Sequence, residues 1–213
     1  MVMLKTFRNR LTFFGQILRQ NDEVGAFAAS SRVVAEAVAE PIRSGARPLR
    51  VLEVGAGTGA MTRCVAERLG PQDRFDVCEI NPVFVRVLRE DYTTVPGGPE
   101  IHIHEGDIER WTPDEPYDVI VSSLPLLNMP PEKVDAVFAY FLRNLRPDGT
   151  LTYYDYWAKD VRRFVGPSRE RRRMKAVLDV TKRYLDRHEY RRRVVVRNFP
   201  PACVHYLSPT PIR

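Results

Sequence analysis

Cysteine is scarce in this chain of 213 residues: three in all, with no CxxC and no histidine-paired spacing. Cys64, Cys78 and Cys203 therefore outline neither a disulfide framework nor a zinc site, and read as reduced thiols of a cytosolic protein. No uninterrupted apolar run approaches the ~20 residues of a membrane-spanning helix. The first twenty residues contain no acid at all but carry Lys5, Arg8, Arg10 and Arg19, which excludes a secretory signal. Internal repeats and low-complexity linkers are missing too. What remains is the composition of one ordinary globular domain, with or without appendages: 44% apolar, 28% charged and long enough to bury a core.

The net charge of +6 hides an uneven distribution. Residues 157–197 hold 15 Lys/Arg against five Asp/Glu. With the basic first twenty residues, the two ends reach +14 and leave −8 for the rest. An acidic centre between basic segments suits a polyanionic surface, and both nucleic acid and an anionic membrane qualify.

Hydrophobic periodicity supplies the fold. Leu4, Phe7, Leu11, Phe14 and Leu18 recur at helical spacing, with Lys5, Arg8 and Arg19 among the polar positions. This predicts an amphipathic helix over 1–20, ahead of one domain over 21–213. A helix is expected over 30–43, capped by Ser30 or Ser31. "LRVLEVGAG", "RFDVCEI", "EIHIHEGD", "YDVIVSS" and "TLTYYDYW" read as strands. "MTRCVAERLG", "NPVFVRVLRED" and "PPEKVDAVFAYFLRNLRPDG" read as the helices between them, the last ending at Pro-Asp-Gly. A basic helix near 168–187 precedes two strands, "RRRVVVRNF" and "ACVHYLS", too close for a helical crossover. The expected fold is α/β: a doubly wound, mostly parallel seven-stranded sheet closed by a C-terminal antiparallel hairpin.

Ligands of such sheets sit outside the carboxyl ends of the strands. "EVGAGTGA" follows the first strand, with Glu53, Gly55, Gly57, Thr58 and Gly59; the glycines permit a tight turn and a close approach to main-chain N–H groups. Ala60 completes a dinucleotide-type fingerprint as well. Glu79 closes the second strand, where a carboxylate can take both hydroxyls of a ribose, and Asp107 ends the third, where one can accept from an adenine amine. Together they indicate adenosine, without separating a dinucleotide from S-adenosylmethionine. His102 and His104 share a strand face but lack a third ligand, so no metal site is expected.

"VLEVGAGTG", the acid closing the second strand, "GD" after the third and the terminal hairpin resemble class I S-adenosylmethionine-dependent methyltransferases across residues 48–207. Within that class "VGAFAASSR", "SSLPLLNMP", the tyrosine-containing end of strand five and "FPPACVHYL" resemble the bacterial phospholipid N-methyltransferases, which also begin with an amphipathic helix. Ala56 stands where many members carry proline, and Cys203 where an aromatic is common. The resemblance implies S-adenosylmethionine as cofactor and Glu53, Gly55, Gly57, Gly59, Glu79 and Asp107 as its site, with Thr58, Ile80, Asn81, Ile108 and Ser122 beside them. On the substrate side it points to Tyr156, His205 and Ser123; His205 would bond a phosphate or assist proton removal, a packed core histidine being the alternative.

The nearest competitor is the rRNA adenine dimethyltransferase type, whose Asn-Leu/Ile-Pro-aromatic holds a flipped base. Here Ser123 stands for the Asn and Leu126 for the ring. Leucine cannot supply the ~1–3 kcal/mol that aromatic stacking gives a base. An aliphatic amine fits better, with tyrosine faces available to its cationic product. The expected protein methylates the amine of phosphatidylethanolamine and its partly methylated forms. It lies peripherally on the inner face of the cytoplasmic membrane, with an anionic membrane surface as partner, no obligate protein partner and no nucleic acid. The alternatives are an RNA adenine N6-methyltransferase and a non-catalytic membrane- or RNA-binding adaptor.

Overall fold

The computed structural model describes residues 32–43, 45, 47–92, 97–156, 168–196 and 201–212. The helix expected over 1–20 lies outside the described residues, as do most of "VGAFAASSR" and residues 197–200. Helix α1 is described over 32–38. There follow β1 (Arg50–Val54), α2 (Ala60–Ala66), β2 (Arg74–Glu79), α3 (Pro82–Tyr92), β3 (Glu100–Glu105) and β4 (Tyr117–Ser122). Helix α4 (Pro131–Arg143), β5 (Leu145–Tyr156), α5 (Ser168–His188), β6 (Glu189–Val195) and β7 (Ala202–Leu207) complete the chain.

The strands form one sheet in the order β3-β2-β1-β4-β5-β7-β6. The first five are parallel, and β7 runs antiparallel to both β5 and β6. The predicted hairpin is thus present with its second strand inside. Every residue of β7 is buried, whereas most of the arginine-rich β6 is exposed. An apolar strand gains from neighbours on both sides, and arginines on the outer strand discourage pairing with another chain.

Alternation divides the core. Val51 and Val121 face Val34 and Val38 of α1, Met61 and Val65 of α2 and Leu88 of α3. Leu52 and Ile120 face Phe138 and Phe141 of α4 and Val177 of α5. Helix α4 stops earlier than its composition suggested, at Arg143, with Asn144 as cap. The Pro147-Asp148-Gly149 stretch instead lies within β5, where the pairing with β4 shifts register between Tyr117 and Val119. Proline lacks the N–H that a further helical turn would need, so the chain leaves the helix before reaching it.

Charged side chains seal the amino ends of the strands. Asp76 of β2, wholly buried, takes hydrogen bonds from Tyr117 (3.1 Å) and His104 (2.9 Å), with Arg74 at 3.4 Å. Asp118 accepts from the Arg50 amide at 2.8 Å and pairs with Arg47 at 2.6 Å.

Candidate donor and acceptor site

From β1 the chain winds outward through β2 to β3 and then crosses back to β4, on the other side of β1. That reversal opens a crevice between the carboxyl ends of β1 and β4. The loop after β1 enters it: the Gly55 amide bonds to Cys78 (2.9 Å) and the Ser123 amide to Val54 (2.9 Å), so the loops after β1 and β4 extend from paired strand ends. Gly57 has a φ of +59°, and a Cβ there would meet nothing within 4 Å, which leaves open space over the main chain. At Gly59 the reason for glycine is contact: a Cβ would come within 2.5 Å of the Tyr92 ring, whose hydroxyl donates to the Gly59 carbonyl.

Glu79, at the end of β2, is buried and holds the loop in place. Its carboxylate accepts from the Gly57 amide and the Asn81 amide, each at 2.8 Å. Each oxygen keeps a lone pair for a hydroxyl from outside. Asn81 turns inward on the chain, its side-chain oxygen accepting from Val83 at 2.9 Å to start α3. Ile80 is two-thirds exposed (66%) at the rim, whereas Ile108 is buried. Thr58 is exposed at the crest of the loop.

Glu53 is the anomaly. It is wholly buried, and neither carboxylate oxygen has a hydrogen-bond partner among the described residues. Burial pushes its carboxyl up to about 8, against a downward pull from the Thr62 hydroxyl and with a further push from Glu79. Thr62 lies close, yet its hydroxyl is outside hydrogen-bond geometry and unpartnered as well. A buried, unanswered carboxyl group at the base of a glycine loop fits a ligand that brings positive charge. S-Adenosylmethionine carries two such charges, an ammonium and a sulfonium.

Asp107 follows β3 as expected but is already engaged. It caps the short 3-10 turn Ile108–Arg110 by accepting from Glu109, and both its oxygens lie on the Lys133 ammonium, at 2.9 and 2.7 Å. Sequence reasoning missed Lys133; its partner Asp107 sits 26 residues away, and a lysine in the first turn of a helix carries no signal of its own.

On the acceptor side, Ser122 is buried with its hydroxyl 3.4 Å from the Leu124 amide. The Ser123 hydroxyl is buried with no partner among the described residues. Tyr154 and Tyr156 meet edge to face, centroids 6.0 Å apart, at the end of β5. Tyr156 is 45% exposed. Tyr154 is pushed up to about 12 by burial, then by Tyr156 and by Glu53, which puts it within electrostatic reach of the unpartnered carboxylate.

His205 does not join them. It is buried in β7, its Nδ1 2.6 Å from Glu189 and its Nε2 3.2 Å from Asp155, and its ring stacks on Tyr153 at 4.8 Å. Burial opposes its charge, but the hydrogen bonds to Asp155, Cys203 and Glu189 outweigh that and push it up to about 10. Both ring nitrogens are committed, so His205 has none to offer a phosphate or an amine. It is a charged core residue, the alternative left open by its isolation in the sequence.

A glycine loop answered by an acid at the next strand end, on a sheet of this order, suits an adenosine-bearing ligand. A methyltransferase domain model matches residues 51–149. The ornithine lipid N-methyltransferase of Singulisphaera acidiphila is 31% identical over 146 residues, 65% of this chain and 73% of that protein. A tRNA1(Val) (adenine(37)-N6)-methyltransferase of Yersinia pestis is 35% identical over 78 residues, 36% of this chain and 32% of its own length. The crystal structure of N-methyltransferase NodS from Bradyrhizobium japonicum superposes with a TM-score of 0.59 at 17% identity, over 83% of this chain and 94% of that one. The chain belongs to the class I S-adenosylmethionine-dependent methyltransferases.

Proposed function

We propose that this methyltransferase acts on the amine of phosphatidylethanolamine and of its mono- and dimethylated forms, towards phosphatidylcholine, while resting peripherally on the anionic inner face of the cytoplasmic membrane. The observation that carries the reading is the loop after β4. Leu124, Leu126, Leu127 and Met129 pack partly buried against the α4–α5 core, and Leu124 reaches the Gly55 turn, so this loop brings aliphatic side chains and no ring of its own for a base to stack on. The 146-residue match to a lipid N-methyltransferase supports it over the 78-residue match to a tRNA enzyme. Exposed Arg169, Arg171, Arg172 and Lys175 at the start of α5 suit a polyanionic surface. No helix among the described residues is long and apolar enough to cross a membrane.

S-Adenosylmethionine, when bound, supplies a methyl carbon on a positively charged sulfur. Glu53, the Gly55–Gly59 loop, Glu79 and Asp107 would hold it. A poorly hydrated mouth favours the neutral form of an alkyl amine whose usual pKa is near 10. The Ser123 hydroxyl can accept from that amine and aim it, and orientation is the main contribution left for the protein to make. The faces of Tyr154 and Tyr156 stabilise a cationic product nitrogen by ~0.5–2 kcal/mol each.

Isotopically labelled donor, offered with phosphatidylethanolamine vesicles, ornithine-lipid vesicles and unmodified RNA in separate reactions, tests this. Label is expected in phosphatidylethanolamine. Label in RNA alone overturns the lipid reading. Label in the ornithine lipid alone keeps a lipid amine and replaces the headgroup.

A further inference from the structure

We propose that Lys133 is a positioning residue for the donor, holding Asp107 in the orientation that an adenine amine needs, from the helix that follows the acceptor loop. The inference rests on Asp107 as the adenine-facing acceptor. An ionised carboxylate offers about four lone-pair sites. On Asp107 one is taken by the capping Glu109 amide at 3.2 Å and two by the Lys133 ammonium, at 2.9 and 2.7 Å. One remains, enough for a single N–H from an exocyclic amine.

Lys133 is fixed as well as fixing. Its ammonium also pairs with Glu109, so two carboxylates of one turn determine where the end of a flexible side chain sits. Lys133 is the third residue of α4, and that helix begins directly after the loop from Ser123 to Pro130. The ammonium therefore ties the turn after β3, on the donor side, to the element that carries the acceptor loop. The three side chains are each about 30% exposed, so solvent screens the pair and the effect on binding is modest.

Calorimetry with S-adenosylhomocysteine, and with its analogue whose purine lacks the 6-amino group, reads this directly. Lys133→Met is expected to weaken S-adenosylhomocysteine about two- to fivefold and to leave the deamino analogue unchanged; Lys133→Arg retains most of the wild-type affinity. In an Asp107→Asn background, Lys133→Met has no further effect. Equal weakening of both ligands, no weakening of either, or a full penalty on top of Asp107→Asn overturns the proposal. Comparing two ligands on one protein keeps a folding defect from mimicking the result. If Asp107→Asn alone binds both ligands like the wild type, the adenine role of Asp107 fails and the proposal with it.

Discussion

Asp76 and Glu53 are both carboxylates with no exposure to solvent, on neighbouring strands of one sheet, and their surroundings treat them oppositely. Asp76, paired in register with Leu52 and so one step from Glu53 along the sheet, has burial pushing its carboxyl up, but hydrogen bonds from His104 and Tyr117 and the charge of Arg74 outweigh it and hold it low. Glu53, at the carboxyl end of β1, has burial and almost nothing to oppose it. One carboxylate is answered within the chain; the other is left for something from outside to answer. A buried carboxylate is a structural part when its partners are supplied, and a ligand site when they are withheld.

The contrast breaks most visibly at Asp76. Asp76→Ala takes the shared buried acceptor from His104 and the Tyr117 hydroxyl, while Arg50 and Arg74 keep Asp114. It is expected to cost about 3–5 kcal/mol in urea unfolding, while donor affinity of the folded protein stays at the wild-type value. Lost donor binding without lost stability would reverse the roles of the two carboxylates.

Glu53→Gln should do the opposite. Donor affinity falls roughly ten- to a hundredfold. The ligand-free protein gains stability at alkaline pH, by about 2–6 °C in thermal midpoint. The sign follows from the raised value: the unfolded chain gives up this proton near 4.5 and the folded chain near 8. Stability therefore falls as pH climbs through that window, and the amide removes the fall. A Gln variant that melts lower at pH 9 would contradict it.

Glu79→Gln is the mildest. It disturbs one carboxylate that already serves the Gly57 and Asn81 amides, and should weaken donor binding by about 1–2 kcal/mol in titration calorimetry, with a small loss of loop stability. Unchanged affinity would take Glu79 out of the site.

The order of elements was readable because each strand and helix announces itself within about ten residues by period and punctuation. The glycine loop and Glu79 were readable for the same reason: a tight turn and the acid opposite it are local chemistry. His205 was not, because its two carboxylates come from β5 and β6, 50 and 16 residues away in sequence. The same distance hid Lys133. The helix predicted to run to Pro-Asp-Gly failed differently: a stop signal marks where a helix cannot go on, and the chain had already turned into β5.

On the proposed reading, in which Glu53 holds the donor, the unanswered acid at the foot of the glycine loop makes loading of the enzyme a protonic event. With Glu53 near 8 in the free protein, most molecules at neutral pH hold a hydrogen on that carboxyl, and a cationic occupant must displace it into the buffer. Apparent affinity then drops by about tenfold for each pH unit of acidification below that value, and the heat of binding changes with the ionisation enthalpy of the buffer chosen.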